Sequence, residues 1–565
     1  MGKKVSYIGL ETLVLLQSNN MINEKQILEK AQKKGGISTL KAYLRLSGPG
    51  WLQSAITLGG GSLGGALFLG VFGGYSLLWV QLLAMALGVI MLCAISYVTL
   101  STGRSPFEAI RNDINPVLAW GWLLASLMAN LVWVLPQYSL AYAAISDNLF
   151  PDYFLDAGEG TKYVVSLILL FFVTGVTFFY GRKNIGIRIY EFILKIMVAG
   201  IVLCFMAVVI DLWMNADDFN TLEILNGFIP NLNDLTNPIS TYQRLIDSVP
   251  NEIARAFWTQ EIVNAQQMRM VAAAAAAVGI NMTFLLPFSM LSKGWTREFR
   301  GLAIFDLSTA MIIPFVLAVS CVVIVAAYKF HGKPYEGLLK EESGQVMVIE
   351  DSPAKKSYDH WISQRTASNI SLMNIPISDS EKKLAAVLVP RDLKDFAKTL
   401  PSTTLFGFGV LAMTLSTISL LMLISGFIFC EMLGIKHGGL VQKLGVVTGS
   451  IGVLWPMLWT GESKAYLVVV TSSFGYILFP IACLAFFLMM NSRRFLGDDM
   501  PRGGSRIVWN TLMGISLLIT GLAAGYTATT KTINGIPVGT YGFIGFIILI
   551  LIGQLYMKKK HQLSS

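Results

Sequence analysis

Long apolar runs recur along the whole of this chain and restrict the folds open to it. A helix needs about 20 residues to cross the roughly 30 Å hydrocarbon core of a bilayer. Inside lipid, every backbone N–H and C=O group must be bonded within the protein, and runs of this length satisfy that need as helices. We identify twelve such segments, at residues 48–72, 75–100, 116–146, 161–181, 188–214, 268–292, 302–328, 402–433, 440–459, 464–491, 506–527 and 537–557.

The composition agrees with a chain that lives in a membrane. Of its 565 residues, 54% are hydrophobic and only 14% are charged, whereas an average soluble chain has about 25% charged residues. The sequence therefore predicts an all-α integral membrane protein with about 12 transmembrane helices. It contains no phosphate-binding glycine loop, nucleophile elbow or metal-spaced ligand cluster, so we expect neither enzymatic activity nor a resident cofactor.

Positive charge follows the alternation of the loops. One alternating set of loops has a basic excess and the opposite set is acidic or neutral. The basic loops contain Arg104 and Arg111, Arg182 and Lys183, Lys293 and Arg297, Lys436 and Lys443, and Arg493 and Arg494. Because cytoplasmic loops are enriched in Lys and Arg, both termini of this multi-pass protein are predicted to be cytoplasmic, in a plasma (inner) membrane. No basic stripe is interleaved with exposed aromatic residues, so nucleic acid is not an expected partner.

Two polar insertions separate the apolar segments into groups. The predicted organisation is a cytoplasmic arm at 1–47, helices one to five at 48–214, an extracellular loop at 215–267, helices six and seven at 268–328, an extracellular insertion at 329–400, helices eight to ten at 401–491, and helices eleven and twelve with a cytoplasmic tail at 492–565. The second insertion mixes charged residues with a short apolar run, which indicates a small ordered cap.

The first apolar segment contains three consecutive glycines, Gly59 to Gly61, followed by Ser62. Glycine costs about 1 kcal/mol relative to alanine inside a helix, so a regular helix is disfavoured there. A spanning helix breaks only where protein or a water-filled cavity satisfies the freed backbone groups. The run therefore predicts a broken helix at a substrate site. The alternative is that these small residues serve close helix packing, as Gly64, Gly65 and Gly70 are expected to do.

Seven short motifs, each weak alone, follow one another along residues 48–530. They are Gly48-Pro49-Gly50-Trp51-Leu52, Gly74-Tyr75-Ser76-Leu77-Leu78-Trp79, Ser101-Thr102-Gly103-Arg104, Phe107-Glu108-Ala109, Gly181-Arg182-Lys183, Thr404-Leu405-Phe406-Gly407 and Arg493-Arg494-Phe495-Leu496-Gly497. In this order and spacing the chain resembles the natural resistance-associated macrophage protein (Nramp) family of metal transporters.

The resemblance implies a LeuT-type transporter fold of two inverted five-helix repeats, in which the first helix of each repeat is broken at the bilayer midplane. Gly279 and Pro287 bracket the expected break in the sixth segment. The substrate site is then predicted to comprise Thr57, Gly59, Gly60, Gly61, Ser62, Asn281, Met282 and Thr283. A coupling cation, Na⁺, is expected at Thr414, Ser416 and Thr417 of the eighth helix. The alternative for these hydroxyls is a bond back to the carbonyl four residues earlier.

The chain departs from the family where the family binds metal. Gly59-Gly60-Gly61-Ser62 stands where the family has Asp-Pro-Gly-Asn, and no histidine occupies the break of the sixth segment. On the third helix, Asn130 and Trp133 occupy the places of an Asp and a Glu that the family links to proton movement. The metal-binding carboxylate is thus absent, and we expect no metal site of the family's kind.

These departures lead to three functional hypotheses. The first is a secondary active transporter that moves a small anion such as bicarbonate by alternating access, coupled to Na⁺, because helix N-termini at the breaks favour negative charge. The alternative is a divalent cation transporter for Mn²⁺, Mg²⁺ or Fe²⁺ that builds its site from backbone carbonyls, Met282, Asn281 and water. The third is a membrane sensor or scaffold that transports nothing. In each case the partners are a small inorganic ion and the lipid bilayer, and we expect a monomer.

Overall fold

The computed structural model describes residues 24–180, 185–216, 219–342, 344–368, 372, 374–400, 402–459, 467–530 and 536–564. After a helical stretch at residues 24–34, the first repeat contains α1 (Gly36–Leu46), α2 (Pro49–Thr57), α3 (Gly60–Gly73), α4 (Leu78–Thr102), α5 (Pro106–Ala109), α6 (Pro116–Ala143), α7 (Gly160–Tyr180) and α8 (Ile185–Asn215). The connection to the second repeat contains α9 (Thr221–Asn226) and α10 (Ser240–Asp247).

The second half of the chain repeats the pattern. It contains α11 (Glu252–Ala277), α12 (Ile280–Ser292), α13 (Arg300–Phe330), β1 (Leu339–Glu342), β2 (Gln345–Val348), α14 (Lys355–Ala367), α15 (Asp379–Leu388), α16 (Leu393–Lys398), α17 (Thr403–Leu433), α18 (Leu440–Val447), α19 (Trp455–Leu458), α20 (Leu467–Met490), α21 (Arg493–Leu496), α22 (Gly503–Thr529) and α23 (Val538–Ser564). The two strands form one antiparallel hairpin in which Leu339 pairs with Val348.

The number of membrane spans agrees with the prediction. In the described part of the chain, eleven helices are long and apolar enough to cross a membrane, and the pair α2 and α3, bent by 49°, brings the number to twelve. Both helical pairs at the breaks, α2 with α3 and α11 with α12, occupy the first position of a five-span repeat. The prediction of an all-α membrane protein with two interrupted helices is therefore confirmed.

The sixth span differs from its predicted extent. Helix α11 begins at Glu252 with Asn251 as its N-cap, sixteen residues before the predicted start at 268. The mixed sequence between 252 and 267 hides this helix from a hydropathy reading, because it carries charged and amide side chains on several faces. The predicted loop at 215–267 is correspondingly shorter, and it contains α9 and α10.

The insertion at 329–400 is an ordered cap that is joined to α11 by buried side-chain contacts. Arg365 and Glu381, both almost fully buried, form an ion pair with an Nε–Oε1 distance of 2.7 Å. The same Glu381 oxygen accepts a hydrogen bond of 3.1 Å from the indole Nε1 of Trp258 on α11. Although burial alone would raise the pKa of the Glu381 carboxyl, the Arg365 guanidinium and the bonds from Ser378 and Trp258 hold that pKa below its ordinary value.

Close backbone approach explains one glycine of the first span. A Cβ on Gly70 would lie 2.5 Å from the carbonyl oxygen of Val323, so α3 and α13 pack nearly backbone to backbone. A Cβ on Gly65 would meet Ala273 and Ala276 of α11 at ordinary van der Waals distances, so α11 packs beside α3 there without requiring glycine. The packing role that the sequence indicates is therefore seen at Gly70.

Candidate ion-binding site at the two helix breaks

The first break is an extended two-residue step in the first span. Helix α2 ends at Thr57, Gly59 adopts an extended conformation at φ −99° and ψ −178°, and α3 begins at Gly60. The backbone N–H of Gly60 donates a hydrogen bond of 3.1 Å to Oε1 of Gln137 on α6. One of the unpaired donors at the start of α3 is thereby satisfied by a neighbouring helix, which stabilises the break.

The second break has the same form. Helix α11 ends at Ala277, Gly279 is extended at φ −96° and ψ 160°, and α12 begins at Ile280. The backbone N–H of Gly279 lies 3.4 Å from the thioether sulfur of Met282. That sulfur also lies 3.6 Å from the hydroxyl of Thr57, so Met282 links the two breaks.

Ser62 makes a second link between the breaks. Its hydroxyl lies within hydrogen-bond distance of the carbonyl oxygens of Thr57 and of Ala276, 3.1 Å from the latter. Both acceptors lie at the C-terminal ends of half-helices, where the last carbonyls have no partner within their own helix. Polar backbone from the two halves of the molecule therefore converges on one serine hydroxyl.

A small cavity lies between these groups. It has a volume of about 40 Å³, which is room for roughly three spheres of water size. Its walls come from α2, α3, α6, α11, α12, α17 and α20, through Ile56, Thr57, Gly61, Ser62, Trp133, Pro136, Gln137, Ala275, Ala276, Gly279, Met282, Thr417, Leu421, Val468, Thr471 and Ser472. The cavity admits a single small ion and excludes a ligand of amino-acid size.

The three glycines of the first break have different surroundings. A Cβ at Gly59 would overlap Oγ1 of Thr417, and a Cβ at Gly60 would lie 2.5 Å from Leu140 and 2.8 Å from Oε1 of Gln137. At Gly61 a Cβ meets no heavy atom within 4 Å. Close packing therefore requires glycine at position 59, a Cβ at Gly60 meets the ends of two flexible side chains, and Gly61 faces the open cavity.

Asn281 and Thr283, both expected at the site, do not line the cavity. The Thr283 hydroxyl accepts a hydrogen bond of 2.8 Å from the indole of Trp122 and donates to the carbonyl of Ile280. The amide oxygen of Asn281 accepts a bond of 2.9 Å from the N–H of Met282. Because α12 starts one residue before Asn281, both side chains turn into the helix packing, and this differs from the sequence-based placement.

The two substituted positions of the third span have separate roles. Trp133 lines the cavity, and its indole donates a hydrogen bond of 2.9 Å to the carbonyl of Thr471. Its ring occupies the space that side chains at Gly279 and Gly475 would need. Asn130 lies outside the cavity and donates a bond of 3.3 Å to the hydroxyl of Ser425. A large indole thus fills the region where the family carries a carboxylate.

The three hydroxyls expected to hold a coupling cation differ in their contacts. Thr414 bonds back to Val410 and Leu411 at 3.0 and 2.9 Å, as in the alternative interpretation. Ser416 and Thr417 each donate to the carbonyl of Met413 at 2.9 Å. Ser416 in addition lies 3.5 Å from the carbonyl oxygen of Ala55 on α2. The hydroxyls of Ser416 and Thr417 therefore lie beside the first break, whereas Thr414 places its methyl group against Gly60.

Sequence reasoning missed several residues that line the cavity, among them Gln137, Thr471 and Ser472. Two polar interruptions of apolar spans carry the signal that could have identified them, namely Pro136-Gln137 in the third span and Thr471-Ser472-Ser473 in the tenth. Amide and hydroxyl groups inside a span are the pattern to search for. Sequence reasoning considered backbone carbonyls as ligands but did not single out Ala276, whose carbonyl bonds to Ser62, since backbone ligands have no signature in side-chain identity.

The cavity has a few polar groups among mostly apolar walls and carries no formal charge. None of its lining residues is Asp, Glu or His, and the described ranges contain no group of three His, Cys, Asp or Glu side chains able to hold a metal. The two half-helix N-termini, at Gly60 and Ile280, meet the two C-termini, at Thr57 and Ala277. The positive and negative ends of four helix dipoles therefore offset one another there. The prediction of an anion site counted the N-termini alone.

Comparison with known sequences assigns this chain to a family. The sequence profile described as "Natural resistance-associated macrophage protein-like" (Nramp) matches residues 50–347, more than half of the chain. The chain belongs to the Nramp family. Nramp proteins are transporters that carry small inorganic ions across membranes, which confirms the predictions of a transporter and of a protein that is not an enzyme.

Curated relatives of this Nramp protein are named as metal transporters. "Metal transporter Nramp2" of Populus trichocarpa is 28% identical over 193 residues, 34% of this chain and 33% of that protein. "Metal transporter Nramp3" of Arabidopsis thaliana is 28% identical over 185 residues, 31% of this chain and 33% of that protein. The matched part of the chain spans about a third of the length of these relatives.

Solved structures share the fold over nearly the whole molecule. Crystal structures of a manganese transporter of Eremococcus coleocola, including a complex with an aromatic bis-isothiourea substituted compound, superimpose with a TM-score of 0.61. They cover 93% of this chain and 96% of theirs, at 13–14% sequence identity. At this identity the likeness establishes the transporter fold, and the cavity at the two breaks has to be interpreted from its own residues.

Proposed function

We propose that this Nramp protein transports a divalent metal cation by alternating access and binds it with neutral ligands at the two helix breaks. The observation that carries the proposal is the convergence of the Met282 sulfur, the Thr57 hydroxyl and the carbonyl ends of α2 and α11 on a cavity of about 40 Å³. The family membership, the relatives named as metal transporters and the fold of a manganese transporter support the same substrate class.

The donor atoms define what kind of metal the site prefers. A thioether is a soft ligand and favours Mn²⁺ or Fe²⁺ over Mg²⁺ or Ca²⁺, which prefer oxygen. Hydroxyl and carbonyl oxygens of Thr57, Ser62 and Ala276 complete a neutral set. Because no carboxylate offsets the cost of dehydration, the ion keeps some of its water and binds more weakly than at an anionic site.

A small anion such as bicarbonate is the second candidate. Two observations favour it: the cavity has no acidic residue among its lining side chains, and Gly61, in the first turn of α3, lines it. Entry of an anion against a negative interior potential costs about 2.3 kcal/mol per 100 mV, so coupling to Na⁺ is part of this candidate. Ser416, Thr417 and the carbonyl of Ala55 are then the proposed Na⁺ ligands.

The test is ion flux in liposomes that contain the purified protein. Mn²⁺ uptake is followed with an internal metal-quenched dye, and bicarbonate uptake by internal alkalinisation with and without a Na⁺ gradient. Saturable Mn²⁺ uptake without a bicarbonate response supports the proposal. Na⁺-dependent alkalinisation without Mn²⁺ uptake overturns it in favour of the anion, and the absence of both fluxes favours a sensor or scaffold.

A matched pair of variants ties the flux to this cavity. Ser62→Ala removes the hydroxyl that bridges the two breaks, and it is expected to lower the flux of the transported ion. Ser96→Ala, on α4, removes an equally buried hydroxyl that bonds only to the carbonyl of Cys93 within its own helix. Equal flux in both variants would show that the site does not lie at the breaks.

The plasma membrane location, the cytoplasmic termini and a monomeric state complete the proposal.

A further inference from the structure

A groove with a basic edge lies where several spans leave the membrane. Its volume is about 880 Å³, and its walls come from the end of α20, the last turns of α23 and the turn that precedes α6. The candidate spans end at Met490 and Lys560 and begin at Pro116 and Gly503. The groove therefore lies at the depth of the lipid headgroups, on the side of the membrane that holds the end of α23.

One face of α23 changes from apolar to charged along this groove. Leu551, Leu555 and Lys558 line it and follow one another at intervals of four and three residues, so they lie on one side of the helix. From Leu551 to Lys558 the helix advances about 10 Å at 1.5 Å per residue. Leu551 and Leu555 are 59% and 69% exposed, so the groove opens directly to lipid.

The wall opposite α23 changes in the same direction. Leu488 lies in the last turn of α20, whereas Asn491 and Ser492 follow the end of that helix. The guanidinium of Arg506, in the first turn of α22, lies 3.5 Å from the amide oxygen of Asn491. On both walls, apolar side chains therefore lie at the depth of acyl chains, and polar or basic ones at the depth of headgroups.

The charge of the groove is positive. Its one acidic lining residue, Asp113, forms an ion pair of 2.9 Å with Arg104, which offsets its charge. Lys558 lines the groove and has no carboxylate partner among the described residues. Arg506 adds a second cation on the opposite wall. Basic pockets between spans are complementary to anionic lipid headgroups.

Helix α23 is attached to the rest of the protein beside the groove. The side-chain amide of Asn115, the N-cap of α6, donates a hydrogen bond of 2.9 Å to the carbonyl of Ile550. A Cβ on Gly553 would lie 2.5 Å from Oδ1 of Asn115, so the two elements pack closely there. Because this contact fixes α23 against the start of α6, the groove is formed before a ligand enters it.

We propose that this groove binds one anionic phospholipid, with an acyl chain along Leu551 and Leu555 and its phosphate paired with Lys558. Charge selects the occupant. The headgroup of phosphatidylglycerol has a net negative charge, whereas the choline of phosphatidylcholine offsets the same phosphate. The site is separate from the ion cavity, and it does not depend on which ion the protein carries.

The test counts the phospholipids that the purified protein retains in native mass spectra. The protein in detergent is mixed with equal amounts of phosphatidylglycerol and phosphatidylcholine of the same chain length, and one phosphatidylglycerol should be retained in preference. Lys558→Gln should lower this retention about fivefold, the contribution of one Lys near an anionic lipid. Lys560→Gln makes the same change two residues on, at the opposite face of α23, and should leave retention unchanged.

A second pair of variants tests the apolar part of the groove. Leu555→Trp narrows it and should lower the retention of phosphatidylglycerol. Leu549→Trp, at a position 51% exposed and outside the groove, should not. Equal loss in Lys558→Gln and Lys560→Gln would overturn the proposal, because binding would then follow the overall charge of the tail. Equal retention of the two phospholipids by the wild type would overturn it as well, because the headgroup would then not be recognised.

Discussion

The carboxylate of Asp306 on α13 accepts a hydrogen bond of 2.7 Å from the backbone N–H of Gly50 at the start of α2. It also accepts bonds from the N–H of Gly48, at 3.2 Å, and from the hydroxyl of Ser47. Asp306 is fully buried. The first N–H groups of a helix have no partner within it and carry partial positive charge, so a carboxylate there is stabilising. Helix α13 thus holds α2, the N-terminal half of the broken first span, in place.

Asp306→Ala is expected to release the N-terminal end of α2. Loss of an N-cap costs about 0.5–2 kcal/mol, and the donors left behind are buried. The reporter is Ser54→Cys, whose position on α2 is fully buried. Maleimide labelling of this cysteine in membranes should be slow with Asp306 present and faster with Asp306→Ala.

Asp306→Asn provides the control, because its amide oxygen still accepts from Gly50 and the labelling rate should be intermediate. Gly50→Ala tests the same contact from the other side, since its Cβ would lie 2.6 Å from the carbonyl oxygen of Asp306. Labelling as slow in Asp306→Ala as in the parent would show that α2 is held by other contacts.

Gly61→Asp is expected to convert the cavity into an anionic site. A Cβ at this position meets no heavy atom within 4 Å, so the side chain can start toward the cavity without displacing a neighbour. Under the proposed function the variant should bind Mn²⁺ more tightly, seen as a lower KM for uptake in liposomes. If the native substrate is an anion, the added charge should instead abolish uptake.

Gly61→Asn is the matched control, of equal size and without charge, and should leave the affinity for Mn²⁺ close to that of the parent. Gly59→Asp, which restores the family's carboxylate at the aligned position, is expected to fold poorly because its Cβ would overlap Thr417. A well-folded Gly59→Asp variant with tight Mn²⁺ binding would contradict the geometry of the first break.

Met282→Leu is expected to change which metals are carried. The substitution keeps the volume and removes the sulfur, and such exchanges usually cost less than about 1.5 kcal/mol of stability. Uptake of Mn²⁺ should fall relative to uptake of Mg²⁺ in the same liposomes. Met290→Leu on the same helix α12, equally buried and outside the cavity, should leave the ratio unchanged. An unchanged ratio of Mn²⁺ to Mg²⁺ uptake in Met282→Leu would show that the thioether is not a metal ligand.

Arg365→Met is expected to destabilise the cap. It leaves the buried Glu381 carboxylate without its guanidinium, and breaking a buried pair costs about 3–5 kcal/mol. The midpoint of thermal unfolding should fall clearly. Lys383→Ala is the control: it breaks an exposed pair with Glu341, with an Nζ–Oε1 distance of 2.6 Å, and such pairs contribute about 0–1 kcal/mol. Equal midpoints for both variants would contradict a stabilising role of the buried pair.

The segment around Asp234 is expected to loosen as the pH rises. Burial raises the pKa of the Asp234 carboxyl from 3.8 to about 6. A raised carboxyl pKa means that the folded form holds the proton more tightly, so its stabilising contribution is present below about pH 3.8 and is lost as the pH rises through about 6. The protection factors of residues 231–237 against hydrogen exchange, which allow for the intrinsic rise of the exchange rate with pH, should fall over this interval. Asp234→Asn should remove this fall in protection, and its persistence in that variant would assign it to another group.

The spans were predictable from sequence because hydropathy and helix length are set by the bilayer itself. The start of α11 was not, since Glu252 to Gln267 lie in a mixed sequence that is stabilised by tertiary contacts such as that between Trp258 and Glu381. The cap was expected only as a small ordered unit. Its buried Arg365–Glu381 pair depends on residues sixteen positions apart that meet only in the folded chain.

The position of the helix breaks at the candidate site was predictable from sequence, and the orientation of its side chains was less so. The glycine run marked the first break, because glycine is costly in a helix interior. Which glycine faces the cavity depends on the neighbours of each, namely Thr417 at Gly59, Gln137 and Leu140 at Gly60, and none at Gly61. The orientation of Thr283 toward Trp122 depends on the residue at which α12 begins, since each residue turns a helix by about 100°.

The hydroxyl of Ser62 lies within reach of two carbonyl groups but has one hydrogen to give. When that hydrogen is on Thr57, the oxygen of Ala276 is free to coordinate, and when it is on Ala276, the oxygen of Thr57 is free. Rotation about the single Cβ–Oγ bond of Ser62 therefore decides which of the two carbonyl groups is free. Under the proposed function, a transported ion can exchange one backbone ligand for the other, from opposite halves of the chain, while the total number of ligands stays constant.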